Sequence, residues 1–138
     1  MTVVLGYESS PGAERALAAA IEVAAGFGDA LVVVFASGVP GGLGEEAGAV
    51  RTAIEERGRA ALEHAITQAD AAGVPSTVEV VDARPAEALL EVADRHDARV
   101  IVVGTWGESP LRGAMLGSTP HKLLHLSRRP VLCVPASD

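Results

Sequence analysis

What this chain lacks narrows its class before any motif is read. Its 138 residues contain one cysteine, one tryptophan, one tyrosine and two phenylalanines. A single thiol, Cys133, permits no internal disulfide, which suits a reducing compartment. Aromatics make up 3% of the chain and apolar residues 49%, so the core has to be built from Val, Leu, Ile and Ala. That composition suits a Val-rich parallel sheet covered by Ala-rich helices. Basic charge is scarce too: 11 Lys and Arg stand against 18 Asp and Glu, a net charge of −7. Nucleic acid is therefore not expected as the main partner, and a phosphate site here has to rely on local backbone dipoles rather than a basic field. No stretch reaches the length of a membrane span, and MTVVLGYESS at the start has no basic region followed by a long apolar run. The expectation is a soluble cytoplasmic protein with no membrane attachment, folded as one domain over 1–138.

Five apolar runs read as strands, at roughly residues 2–6, 30–36, 76–82, 98–104 and 130–134. Four helical patterns lie between them, at roughly 11–27, 45–72, 85–96 and 119–127. The first places Leu17, Ala20, Ile21 and Ala24 on one face; the third buries Leu89, Leu90 and Ala93. Strand-helix alternation of this kind means βαβ crossovers. The fold class is α/β: a single doubly wound domain with a five-stranded, mainly parallel sheet flanked by four helices. Ser10-Pro11 and Thr119-Pro120 each read as an N-cap followed by proline at the first helical position. Five glycines between Ser37 and Gly48 bury too little to fix one conformation. That stretch reads either as a disordered connection or as a mobile lid.

The richest segment is VIVVGTWGESPLRGAMLGSTPHKLL, residues 100 to 124. A β-branched run ends at Gly104, Gly107 follows, and nine residues later Gly117, Ser118 and Thr119 precede a helical pattern. Strand, glycine loop and helix start form an arrangement that receives phosphate. Glycine lets backbone N–H groups approach an anion, and the free N–H groups and partial positive charge of a helix start attract it. The loop is not a Walker A motif, since no Gly-Lys-Ser/Thr closes it, and not the dinucleotide fingerprint G-x-G-x-x-G. In a doubly wound sheet the ligand sits beyond the carboxyl ends of the strands where strand order reverses. The ends of the first strand (Tyr7, Glu8, Ser9, Ser10) and the fourth (Val103, Gly104, Thr105, Trp106) are the expected switch point.

The spacing G-x2-G-x9-G-[ST] resembles the nucleotide-binding signature of the universal stress protein family. VVLGYESSPGAERAL resembles that family's first strand and helix, DARPAEALLEVADRHDARVIVVG its third helix and fourth strand, and GSTPHKLLHLSRRPVLCV its last helix and strand. The resemblance covers nearly the whole chain except residues 37 to 48. It implies an adenine nucleotide, ATP first, lying across the first and fourth strand ends with adenine reaching Ala36. Gly104 and Gly107 then approach ribose and phosphate, and Gly117 and Ser118 bind phosphate, with Thr119 beside them. The nucleotide-binding set is Tyr7, Glu8, Ala36, Val103, Gly104, Gly107, Gly117, Ser118 and Thr119.

This chain departs from the family pattern at two positions. Binding members carry Asp where Glu8 stands, close to the nucleotide and a Mg²⁺ ion. Glu8 either holds that metal with a changed reach or is a solvated acid at a helix start. Pro120 replaces a Ser or Thr and brings neither hydroxyl nor N–H. Arg112, His121 and Lys122 read either as phosphate contacts or as exposed groups. His64, His96 and His125 are scattered, give no metal-ligand pair at helical spacing and imply no zinc site. Cys133 reads as a packed small hydrophobe, and no nucleophile elbow with a His/Asp set is present. The family pattern also implies a homodimer paired through the last strand, PVLCVP, which suits an isologous interface. The leading function is an adenine-nucleotide-binding regulatory protein of the stress response, acting as a ligand-dependent switch on an unknown protein partner. A weak ATPase and a dimeric scaffold with a weak or empty pocket are the alternatives. No catalytic residue is assigned: no P-loop lysine, arginine finger or water-positioning base is evident.

Overall fold

The computed structural model describes residues 1–8, 12–36, 45–105 and 117–136, without the side chains of 45–55 and 57. In chain order the elements are β1 (Thr2–Gly6), α1 (Ala13–Phe27), β2 (Ala30–Ala36), α2 (Glu45–Ala71), β3 (Ser76–Val81), α3 (Pro85–Arg95), β4 (Ala98–Gly104), α4 (Ser118–Leu126) and β5 (Val131–Val134). The five strands form one sheet in the order β3-β2-β1-β4-β5, and every neighbouring pair is parallel. Parallel neighbours need a crossover, and each helix supplies one.

The helices divide between the two faces, so the central strands are buried on both. Val3, Leu5 and Tyr7 of the β1 side pack with Leu31 and Val33 against α1 and α2, through Leu17, Ala20, Ala24, Leu62 and Ala65. Val4, Val32, Val34, Ile101 and Val103 point the other way, against Leu89, Val92 and Ala93 of α3 and Leu123 of α4. Alternate residues of a strand face opposite ways, so unbroken Val/Leu runs are what a doubly covered sheet requires. Ala at the helix contacts lets the helices lie close to the branched strand surface. Two glycines make comparable room. A Cβ on Gly58 of α2 would lie 2.5 Å from the Phe35 ring, and one on Gly6 would lie 2.8 Å from Leu89 Cδ1.

Both proline-marked helix starts differ from the sequence reading. α1 begins at Ala13 with Gly12 at its N-cap, two residues later than the expected start at Pro11. Ser9, Ser10 and Pro11 lie outside the described residues. α4 begins at Ser118 with Gly117 at the N-cap, which makes Thr119 and Pro120 its second and third residues. The first intrahelical bond of α4 runs from His121 N to the Gly117 carbonyl, at 3.1 Å. Every N–H before it is an orphan in any helix, so Pro120 loses nothing by lacking one. At the far end of the sheet, α1 closes through Gly28 in the left-handed conformation (φ 70°). The chain then turns into Asp29, which is buried and accepts two hydrogen bonds from Arg99, at 2.6 and 3.4 Å. Among the described residues, no helix is long and apolar enough to cross a membrane.

Candidate functional site

Strand order reverses between β1 and β4, which are adjacent although their crossovers run to opposite sides of the sheet. The ends of β1, β2 and β4 open there into a cleft. Gly6, Tyr7 and Glu8 form one wall, Val34, Phe35 and Ala36 a second, and Val103 and Gly104 a third. Pro85 and Leu89 of α3 and Thr119 of α4 complete it. Of the expected residues, Tyr7, Glu8, Ala36, Val103, Gly104 and Thr119 come together at this opening. Gly107, with Trp106 and Arg112, lies outside the described residues, as do Ser37 to Gly44.

A second hollow lies beside the first, sharing Pro85 and Thr119. It lies between the starts of α3 and α4 and is lined also by Arg84, Ala86, Glu87, Ser118 and Lys122. Neither helix start has a side-chain cap. The backbone N–H groups of Ala86 and Glu87, and of Ser118 and Thr119, precede the first intrahelical bond of their helices. Two helix starts and two cations therefore border one hollow in an acidic protein. Glu87, 3.9 Å from Lys122, tempers that charge.

Gly117 has a structural part at the start of α4. Its N–H donates to the Thr105 carbonyl at 2.9 Å, and a Cβ there would lie 2.8 Å from the same oxygen. Its φ is −61°, so it is needed for close approach and not for a left-handed turn. Thr105 in turn donates its N–H to Val134 at 2.9 Å, which ties the end of β4 to β5 as well as to α4. The N–H groups left for a ligand at this helix start are those of Ser118 and Thr119.

The Tyr7 phenol is also committed. The ring is buried on the α1/α2 side of the sheet, and its hydroxyl donates to Glu14 Oε1 at 2.6 Å. Burial first, and the Glu14 carboxylate second, push the phenol well above its ordinary range, so it stays protonated. Glu14 Oε2 lies 3.0 Å from His64 Nε2. Partial burial raises the Glu14 pKa, but the bonds to Tyr7 and His64 outweigh it and hold the carboxyl below its usual value. Tyr7 thus offers the cleft its backbone, and that backbone is anchored by Tyr7 N donating to Val34 at 3.0 Å.

Sequence reasoning missed Gly6, Val34, Phe35, Pro85 and Leu89 in the cleft and Arg84, Ala86 and Glu87 in the adjoining hollow. DARPAEALL does carry a signal, a proline helix start directly after β3, but nothing local says that this start faces α4. The histidine reading also needs correction. His125 has a partner at helical spacing: His121, one turn earlier on α4, has its ring centroid 4.7 Å away. Cys133 is half-buried, and burial raises its thiol pKa, consistent with a packed and unreactive side chain.

Known proteins carry the same architecture. The universal stress protein family model matches residues 1–135. A Thermus aquaticus universal stress protein is 37% identical over 96% of this chain and 97% of its own length. One from Bacillus subtilis is 36% identical over 62% of this chain, a match spanning 57% of that relative's length. A universal stress protein crystallised with cAMP superimposes with a TM-score of 0.79 at 31% identity, covering 99% of this chain and 98% of that one. The fold of UspA from Lactobacillus plantarum gives a TM-score of 0.87 at 15% identity, covering 97% of each chain. This chain belongs to the universal stress protein family.

Proposed function

We propose that this chain binds an adenine nucleotide, ATP foremost, in the cleft across β1 and β4, and that occupancy is the signal of a stress-response regulator. The observation that carries the reading is the adjacency of two unlike spaces. An apolar cleft beside Ala36, Val34 and Leu89 suits a purine, and beside it, sharing Pro85 and Thr119, lies a hollow bordered by two uncapped helix starts, which suits phosphate. The related protein that holds cAMP supports the class of ligand. The phosphates meet the N–H groups of Ser118 and Thr119, while Gly104 and Gly107 allow the backbone near the ribose and the first phosphate. Arg84 and Lys122 border the path of the outer phosphates. Glu8 fits Mg²⁺ only as one carboxylate of a site completed by phosphate and water. Among the described residues no three His, Cys, Asp or Glu converge on a metal position, so the ion enters with the nucleotide.

Catalysis has less support than binding. Besides Tyr7, Glu8 is the only ionisable residue among those described at the cleft, and no described lysine or arginine lines it. The protein works as a homodimer through β5, an edge strand whose Leu132 is exposed. Occupancy of the cleft is read by the second subunit or by a protein partner.

Thermal denaturation with and without Mg-ATP tests the reading. A ligand at about one hundred times its dissociation constant adds about 2.7 kcal/mol, a rise of several degrees in Tm for a domain of this size. Glu8→Ala should reduce the rise if Glu8 holds the metal, and an equal rise would exclude Glu8 from the metal site. No shift at millimolar ATP, with no bound nucleotide in equilibrium dialysis, would replace this reading with the dimeric scaffold.

A further inference from the structure

The outer face of α4 carries two histidines that nucleotide binding does not use. We propose that His121 and His125 together chelate a late first-row transition-metal dication of the copper, nickel or zinc kind. Residues four apart on a helix leave it on the same side, and both imidazoles are exposed there. Their ring centroids are 4.7 Å apart, with planes inclined at 72°. A nitrogen roughly 2.0–2.1 Å from a metal places its ring centroid about 3.2 Å from the ion. Two rings on one ion at angles between tetrahedral and square are then about 4.5–5.2 Å apart. The observed separation already lies in that interval. Rotation of the side chains aims one nitrogen of each ring at a common point, and the backbone stays where it is.

The surroundings leave this pair open to solvent. Leu123 turns into the core while Leu124 and Leu126 are exposed, so among the described residues no neighbouring element covers the outer face. Lys122 is drawn towards Glu87 on the α3 side. Because no third His, Cys, Asp or Glu joins the pair among the described residues, the remaining coordination positions are filled by water. The site is therefore bidentate and exchangeable. Imidazole donors favour copper, nickel and zinc over Mg²⁺ and Ca²⁺, which take oxygen. The proposal does not depend on the nucleotide reading, since neither histidine lines the cleft or the adjoining hollow.

Tag-free protein, treated with chelator and free of nucleotide, is titrated calorimetrically with Cu²⁺, Ni²⁺, Zn²⁺ and Mg²⁺. One ion per chain is expected, with Cu²⁺ tightest and no saturable binding of Mg²⁺. H121A and H125A should each weaken binding roughly tenfold or more, a loss of the order seen when a metal site loses supporting groups. Alanine favours helix, so far-ultraviolet circular dichroism should stay unchanged in both. A second variant, His125→Leu with Leu126→His, keeps two histidines but moves them off a common face, and should bind no better than H125A. The proposal fails if binding survives the H121A/H125A double variant. It fails equally if binding is lost instead in H64A, H96A or C133S, or if the displaced pair binds as tightly as the original.

Discussion

Gly117 carries the clearest prediction at the residue scale. A Cβ there meets the Thr105 carbonyl at 2.8 Å, and that oxygen belongs to backbone held by β5, so it has little room to yield. Gly117→Val should separate the end of β4 from the start of α4, cost about 1–3 kcal/mol as overpacking does, and abolish nucleotide binding. Denaturant midpoints measured alongside equilibrium dialysis check both parts. Unchanged stability with wild-type affinity would show that the contact relaxes easily. The importance of Gly117 was legible from its place between a loop and a helix pattern. The reason was not, because its neighbour Thr105 stands twelve positions earlier and no local pattern joins the two. The same limit hid Gly6, whose missing Cβ makes room for Leu89 of α3. It hid the Tyr7 hydroxyl bond as well: a tyrosine at a strand end reads as a site residue until Glu14 and His64 are seen behind it.

At the scale of elements, periodicity located all five strands and all four helices, because a sheet covered on both faces needs unbroken branched runs and its helices need apolar stripes. The helix starts were less legible. Proline marks a first turn but does not fix which of its residues is first, and α4 uses Pro120 at the third. Contacts between elements were less legible still. Gly58 in the middle of α2 reads as a weakness in a helix, costing about 1 kcal/mol against alanine in an exposed setting. It is instead the recess for the Phe35 ring. Two effects then oppose each other in Gly58→Ala. The propensity gain is about 1 kcal/mol, and overpacking against an aromatic ring costs about 1–3 kcal/mol. The clash should win, giving a lower Tm and, since Phe35 lines the cleft, weaker nucleotide binding. A more stable variant would mean that the ring moves aside freely.

At the scale of the whole molecule, the charge network sets the acid limit. The hydrogen bond from Arg99, then the attraction of the same guanidinium, hold Asp29 below its usual range despite burial. At Glu79 burial raises the pKa, but Arg95 and His96 more than offset it, as Tyr7 and His64 do at Glu14. Carboxyls depressed in the folded state contribute stability that is present above their ordinary values, about 3.9 for Asp and 4.3 for Glu. That stability is lost as pH falls through their lower folded values. Stability should therefore be level from neutral pH to about 5 and fall below about 4, with Arg99→Met less stable at neutral pH and less steep on the acid side. Tyr7 acts oppositely: its raised pKa contributes stability below about pH 10 that is lost as pH rises through the folded value. Urea midpoints across the pH range check both limbs. Sedimentation at micromolar concentration should give a dimer, with Leu132→Asp monomeric; a monomeric wild type would remove the β5 interface. The strand order has a further consequence, for the order in which the chain folds. β1, β2 and β3 follow one another in sequence with α1 and α2 between them, so one half of the sheet condenses through short-range closures. β4 joins β1 only when the chain returns across a long separation: Thr2 Oγ1 bonds the His96 carbonyl 94 positions away. Closing so long a loop is slow. The two strand ends that flank the cleft therefore meet only when this long-range closure is made, and the capacity to hold a ligand should arise with that closure and with the core cluster that β4 completes.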